Sequence, residues 1–209
     1  MGAVQLGLFG SDAPAFDAEY RAARRIDLGS QAWVEHQPGW LSGHAALFEH
    51  LERSLQWRES EQQIYDRTVA TPRLIAMSPE DGPSHPLIES MCTSLSRRYG
   101  EPFQRISFAL YRDGRDSVAF HGDRIARTLP NALVATISLG SPRRFLMRPH
   151  GGGRSRAWNL GWGDLFVMGG SSQRTWQHGI PKVAHAGPRI AIMFRPHWEE
   201  SAIEPEVDP

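Results

Sequence analysis

The hydrophobic pattern changes period once along the chain. In the first half, Leu47, Leu51 and Leu55 recur at helical spacing with Phe48 beside them, and Ser42 stands where an N-cap would, so a helix is predicted from about 43 to 56. Leu87, Ile88, Met91, Cys92, Leu95 and Tyr99 form a second apolar face, opened by Pro86 in its first turn and closed by Gly100. Ahead of the first helix the pattern is mixed: Tyr20 to Leu28 reads as a strand, and Trp33, Pro38, Gly39 and Trp40 lead into a turn. Between the helices, residues 57 to 84 read as irregular around a strand-like Arg73 to Met77 and suit a mobile surface cover.

After Gly100 the period falls to two. Strands are predicted at Phe103 to Arg112, Val118 to His121, Ala132 to Leu139, Arg143 to Arg148, Arg156 to Leu160, Asp164 to Met168, Arg174 to Gln177 and Arg189 to Arg195. Short strands separated by Gly, Pro and Asp imply a sandwich or barrel, mainly β with flanking N-terminal helices. The expected division is an N-terminal extension over residues 1 to 100, a β core over 101 to 198 and a disordered acidic tail over 199 to 209, one domain in all. Gly151-Gly152-Gly153 after His150 reads as a hairpin turn. Trp162, Trp176 and Trp198 are expected to pack in the core or at its rim.

Composition narrows the classes. With 40% hydrophobic residues, one cysteine and no apolar run near about 18 residues, a membrane span, a disulfide scaffold, a collagen-like repeat and a wholly disordered chain are excluded. The opening Met1-Gly2-Ala3-Val4-Gln5 does not read as an export signal, and a lone Cys92 on an apolar helical face fits a reducing compartment, so a cytoplasmic setting is expected. The 23 basic and 23 acidic side chains balance, but residues 105 to 156 hold ten arginines against Asp113, Asp116 and Asp123. Such a patch favours a polyanionic partner, although Lys182 is the only lysine and the arginine bias partly reflects composition.

Candidate chemistry lies in the second half. In an extended segment His121 and Asp123 share a face and can bind one metal. A facial triad of two histidines and one carboxylate leaves three positions open on iron(II). His178, in Thr175-Trp176-Gln177-His178-Gly179, is the choice for the third ligand, and His185 is its competitor. In the last strand, alternation puts Arg189 and Arg195 on one face and Ile190, Ile192 and Phe194 on the other. If the arginines face inward they need an anion, which a small dicarboxylate would supply with help from the Tyr111 phenol; a solvated edge strand is the other reading.

The run Leu110-Tyr111-Arg112-Asp113-Gly114-Arg115-Asp116-Ser117-Val118-Ala119-Phe120-His121-Gly122-Asp123 resembles the signature of the AlkB family of iron(II)- and 2-oxoglutarate-dependent dioxygenases. Ile137-Ser138-Leu139-Gly140, Gly163-Asp164-Leu165, Trp176 to Lys182 and Pro188-Arg189 to Phe194-Arg195 follow in the family's order, so the resemblance covers roughly residues 57 to 196. It implies a double-stranded β-helix, or jelly-roll, with iron(II), 2-oxoglutarate and dioxygen as cofactor and cosubstrates. It makes His121, Asp123 and His178 the iron ligands, Tyr111 and Arg189 the 2-oxoglutarate anchors, and Arg195 a second arginine near the cosubstrate. It also implies a nucleotide-recognition lid before the core, where Tyr65 and Arg73 would contact nucleic acid and the tyrosine could stack on a flipped base.

The implied reaction is oxidative demethylation of N-alkylated bases in DNA or RNA, as in DNA repair, with release of formaldehyde, succinate and carbon dioxide. Arg148, with Arg143, Arg144, Arg154 and Arg156, could reach a phosphate backbone or form a solvated basic face. Four positions depart from the family pattern. Ile125 stands where repair members carry an acid for the base's exocyclic amine. Ala109 replaces an asparagine, and Ala191 and Met193 replace a polar pair. The alternatives are a hydroxylase of a modified tRNA, protein or small molecule, and a catalytically silent nucleic-acid-binding module.

Overall fold

The computed structural model describes residues 13–64, 67–78, 85–123 and 129–196, with 60–64 and 67–71 as backbone. The strands in chain order are β1 (Ala15–Phe16), β2 (Arg24–Gly29), β3 (Ala32–Gln37), β4 (Leu41–Ser42), β5 (Arg58–Ile64), β6 (Arg67–Met77), β7 (Phe103–Tyr111), β8 (Val118–His121), β9 (Val134–Gly140), β10 (Arg143–Pro149), β11 (Arg156–Leu160), β12 (Asp164–Gly170), β13 (Trp176–Ile180) and β14 (Arg189–Pro196). The helices are α1 (His44–Ser54), α2 (Pro86–Tyr99) and the single turn α3 (Ser172–Thr175). Eight strands form one sheet in the order β2-β3-β12-β9-β14-β7-β6-β5, four form a second in the order β11-β10-β13-β8, and β1 pairs with β4.

Alternation sorts each strand's side chains between two cores. Ile190, Ile192 and Phe194 of β14, Phe108 and Leu110 of β7, and Ile137 and Leu139 of β9 point to one face of the large sheet. There they meet Leu47, Phe48 and Leu51 of α1 and Ile88, Met91 and Leu95 of α2. Each such buried side chain stabilises by roughly 2 kcal/mol relative to exposure. The opposite face carries Ala109, Tyr111, Val134, Phe166, Met168 and Ala191, packed against Val118, Phe145, Met147, Trp176 and Ile180 of the small sheet. This inter-sheet layer, tied by Phe145 and Phe166 with ring centroids 5.1 Å apart, is the interior of the double-stranded β-helix. At the end of β9, Gly140 has φ +77 and a Cβ there would lie 2.5 Å from the Pro188 carbonyl, so only glycine lets β9 end against the start of β14.

The structure differs from the sequence expectations in several places. Ser42 does not cap α1: Gly43 holds that position with φ 61 and no side-chain cap bond, because Ser42 pairs with Ala15 in β4 and its hydroxyl donates to the Ala15 carbonyl at 2.9 Å. The expected irregular stretch after 57 is largely a hairpin, β5 with β6, continued into the large sheet through Leu74–Met77 on β7. Its first strand, Arg-Glu-Ser-Glu-Gln-Gln-Ile, has no apolar alternation and is joined through main-chain pairing, which a period-based reading does not see. The strand expected from Tyr20 starts only at Arg24, since Tyr20 is left-handed (φ 53). Its partner β3 follows a two-residue turn with Ser30 at φ 51 and Gln31 at φ 66, the geometry of a type I′ hairpin. The strand expected at Arg174 begins at Trp176, after α3. Trp176 is buried as expected, whereas Trp162 is 61% exposed. Trp198 and the acidic tail lie outside the described residues.

One buried charge ties the outer edge of the large sheet to α2. Glu35 on β3 is 4% exposed. Its Oε1 accepts from Arg98 Nη2 at 2.7 Å and from the Tyr99 hydroxyl at 2.7 Å, while Arg25 lies 3.2 Å from Oε2. Burial works to raise this carboxyl, but the Tyr99 and Arg98 hydrogen bonds outweigh it and hold the pKa below the ordinary glutamate value. A depressed carboxyl contributes stability that is present above its unfolded pKa and lost as pH falls through the folded one. Glu35→Gln is therefore expected to lose about 2 kcal/mol at neutral pH, between the values for surface and enclosed pairs. Its penalty should shrink below about pH 4. Thermal denaturation of both proteins from neutral to acid pH checks this, and a pH-independent penalty would contradict the assignment.

Candidate active site

Backbone pairing brings the candidate metal ligands together. His121 ends β8 and His178 sits in β13, and the two are direct partners across that ladder. Their rings are 4.3 Å apart between centroids. Asp123 follows two residues after His121, so one ligand atom from each of His121, Asp123 and His178 lies within 4.8 Å of the others, and all three residues are half-buried. His185, the competing third ligand, is exposed on the loop before β14 and is not part of this cluster.

The surroundings fix how each group presents itself. His121 Nδ1 lies 2.8 Å from the Ala119 carbonyl; as a donor there, it leaves Nε2 as the lone-pair atom directed at the cluster. Burial lowers the pKa of both imidazoles, that of His178 to about 3, so both are neutral and able to ligate. Burial works to raise Asp123, yet the Arg195 guanidinium outweighs it and sets the pKa at about 2. Arg195 Nε donates to Asp123 Oδ2 at 2.6 Å and Nη1 to the Ser107 hydroxyl at 2.9 Å. The Asp123 amide donates to Gln173 Oε1 at 3.1 Å. Two neutral imidazoles and an ionised carboxylate on one side of an open cavity match the donor set of a facial-triad iron(II) site.

The cluster opens on a cavity of about 260 Å³ that Tyr111, Arg189, Ala191 and Arg73 also line. Arg189 and Tyr111 face each other across the β14–β7 ladder and are each 1% exposed. Arg189 Nη2 donates to the Ser138 hydroxyl at 2.7 Å, but its Nε and Nη1 are buried without any partner. Burial lowers its pKa to about 10, which leaves it charged at neutral pH. A sealed guanidinium with two unmet nitrogens is a strongly unfavourable arrangement unless an anion completes it, and the distal carboxylate of 2-oxoglutarate has the charge and fork geometry to do so.

The remaining sequence-selected residues fall in distinct places. Arg195 is directed at Asp123, so its guanidinium bridges the candidate metal carboxylate and β7. Arg73 also lines the cavity, donating from Nη1 to the Tyr111 hydroxyl at 2.9 Å. Arg148 is bound to Gln177 Oε1 at 3.1 Å through Nη2, with its guanidinium 4.1 Å from the Phe120 ring centroid. Arg143, grouped with the phosphate-facing arginines, is instead 2% exposed and donates to the carbonyls of Asp113, Asp116 and Pro181, locking the loop after β7 to the end of β13. Tyr65 and Ile125 lie outside the described residues. Sequence reasoning gave no role to Ser107, Ser138, Gln173 or the Ala119 carbonyl. Period two puts Ser107 on the face of Tyr111, but what either serine meets follows only from strand register, which sets Ser138 opposite Ala191.

Comparison with known proteins agrees with this geometry. The family model described as the 2OG-Fe(II) oxygenase superfamily matches residues 44–195, and the chain belongs to that superfamily, whose members use iron(II), 2-oxoglutarate and dioxygen. Within it, the chain is similar in sequence to AlkB-type members. It is 30% identical over 182 residues to alpha-ketoglutarate-dependent dioxygenase alkB homolog 3 of Bos taurus, covering 76% of this chain and 64% of that protein. It is 25% identical to the DNA oxidative demethylase ALKBH2 of Arabidopsis thaliana, over 82% of this chain and 68% of the relative. The chain thus spans less than two thirds of the alkB homolog 3 length. The solved structure of OsALKBH1 shares the fold, with a TM-score of 0.57 at 13% identity over 83% of this chain and 100% of that one.

Replacing Arg189 separates its cost from its use. Arg189→Met removes an uncompensated buried charge, so without 2-oxoglutarate the variant is expected to be as stable as the parent or more stable by about 1 kcal/mol. With Mn(II) present throughout, adding 2-oxoglutarate should raise the Tm of the parent and raise that of the variant much less. Thermal scans with and without the keto acid check both, and a large loss of stability in the unliganded variant would show that Arg189 is already compensated.

Proposed function

We propose that the chain catalyses iron(II)- and 2-oxoglutarate-dependent oxidative demethylation of N-alkylated nucleobases in DNA or RNA, releasing formaldehyde, succinate and carbon dioxide. The observation that carries the chemistry is the meeting of a His121–Asp123–His178 cluster with a buried Arg189 guanidinium, two of whose nitrogens have no partner, in one cavity. The names of the relatives, alkB homolog 3 and DNA oxidative demethylase ALKBH2, support the nucleic-acid substrate. So do the exposed arginines Arg144, Arg154 and Arg156 on and between β10 and β11, beside the same cavity's small sheet.

In this reading His121, Asp123 and His178 hold iron(II), which supplies activation of dioxygen coupled to decarboxylation of the keto acid and so oxidises a C–H bond of the substrate. Arg195 keeps Asp123 ionised and fixes its orientation, so the carboxylate is ready to ligate without a competing proton. The Ala119 carbonyl sets the tautomer of His121. Arg189 and Tyr111 bind the distal carboxylate of 2-oxoglutarate, and Ser138 braces the guanidinium so that its two free nitrogens face the cavity. Phe145, Val134 and Met168 line the rest of the cavity and exclude water around the reacting centre. A hydroxylated N-methyl group is a hemiaminal and collapses to formaldehyde without a side-chain acid. Cys92, a free thiol that donates to the Phe103 carbonyl, suits the reducing cytoplasm, which is the proposed setting. Among the described residues, no helix is long and apolar enough to cross a membrane.

Incubation with Fe(II), 2-oxoglutarate, ascorbate and oligonucleotides carrying N-methylated bases is expected to release formaldehyde and succinate in equal amounts. His121→Ala is expected to abolish both, which mass spectrometry of the oligonucleotide checks. Succinate formation with a stable hydroxylated product and no demethylated base would move the activity to a hydroxylase. Tight oligonucleotide binding, unchanged in His121→Ala and without succinate from the parent, would reduce the protein to a binding module.

A further inference from the structure

We infer that Arg73, carried by the β5–β6 hairpin, is a second guanidinium on the distal carboxylate of 2-oxoglutarate, so that the strand before the β core forms part of the cosubstrate site. The assignment rests on the dioxygenase reading above. Its basis is a count of donors. Among the described residues, three buried side-chain nitrogens lining the cavity have no partner: Arg73 Nε, Arg189 Nε and Arg189 Nη1. Arg73 Nη1 already donates to the Tyr111 oxygen at 2.9 Å, so the phenol's own hydrogen is available to another acceptor. Three nitrogens and one hydroxyl match the roughly four lone-pair positions of a carboxylate.

Placement favours this acceptor over a phosphate of the nucleic acid. Tyr111 is 1% exposed, and Arg73 is bound to its inner, hydroxyl end, with the guanidinium 5.9 Å from the ring centroid. Arg189 stands over the same ring at 5.3 Å. Arg143, at 5.6 Å, also approaches this ring, but its Nη1 and Nη2 are spent on three carbonyls and, although its Nε has no partner, it does not line the cavity. On the neighbouring row of the sheet Ala109 and Ala191 offer only methyl groups, so the polar partners of a buried anion there come from Arg73, Tyr111, Arg189 and the serine behind it. A phosphate on the surface would need the Arg73 nitrogens turned outward, whereas Nε is buried.

The test uses the full chain loaded with Mn(II) and compares two keto acids by calorimetric titration: 2-oxoglutarate, and 2-oxobutanoate, which has the same head group and no distal carboxylate. Arg73→Met is expected to weaken 2-oxoglutarate at least tenfold and to change 2-oxobutanoate less than twofold. Arg73→Lys, which keeps the charge and loses the fork, is expected to weaken 2-oxoglutarate several-fold with the same selectivity, and it decides the matter if the methionine variant does not fold. Unchanged 2-oxoglutarate affinity in both variants, with weakened oligonucleotide binding, would overturn the assignment in favour of a nucleic-acid contact. Equal weakening of both keto acids would overturn it as a distortion of the metal site. Failure of the parent protein to bind either keto acid would remove the dioxygenase reading and this assignment together.

Discussion

A guanidinium buried between two β-sheets beside a cavity, with two of its nitrogens lacking a hydrogen-bond partner among the described residues, is the constraint on which the account depends. Taking such a charge out of water costs several kcal/mol unless something returns the lost interactions. Among the described side chains, the Ser138 hydroxyl is the one that accepts a hydrogen bond from Arg189. The helix-facing side of the same strand, Ile190, Ile192 and Phe194, is wholly buried, so the strand cannot turn to let the arginine out. Apolar packing on one face therefore holds the charge in place on the other, ready for a carboxylate.

The same logic organises the metal cluster. His121 and His178 are neighbours because β8 and β13 pair, and Asp123 joins them because the chain leaves β8 two residues earlier. Arg195, on the same face of β14 as Arg189, reaches the carboxylate while Arg189 serves the far end of the cavity. One strand thus carries one cation beside the candidate metal cluster and, in the proposed reading, one for the cosubstrate, separated by the small Ala191 and by Met193. Membership of the 2OG-Fe(II) oxygenase superfamily agrees with this division of labour.

Much of this architecture was legible from residue patterns, and the parts that were not share a cause. The strands from Phe103 onward were visible because each has one face in an apolar core, which imposes period two. The helix at Pro86 was visible because its apolar stripe, its first-turn proline and its closing glycine agree. The hairpin at Arg58–Met77 was not, since a strand held by main-chain pairing with polar residues along it writes no periodicity. Ser42 looked like a cap because local sequence cannot show that a distant segment, Ala15–Phe16, takes its hydroxyl. Arg143 looked like a surface charge for the same reason: the three carbonyls that bury it come from separate loops. At the site, the spacing of His121 and Asp123 gave a shared face, but the choice of His178 over His185 needed the family's order of motifs, and the bracing serines needed strand register. Tyr111 and Arg189 were read as partners and lie opposite each other, and Arg73, read as a nucleic-acid contact of the lid, lines the same cavity.

The most direct test of the central claim is a crystal structure of the chain grown with Mn(II) and 2-oxoglutarate. The account predicts the metal on His121, Asp123 and His178, and the distal carboxylate of the keto acid within hydrogen-bond distance of Arg189 Nε or Nη1 and of the Tyr111 hydroxyl. A metal bound away from these three side chains, or a keto acid whose distal carboxylate leaves Arg189 unpartnered, would contradict it.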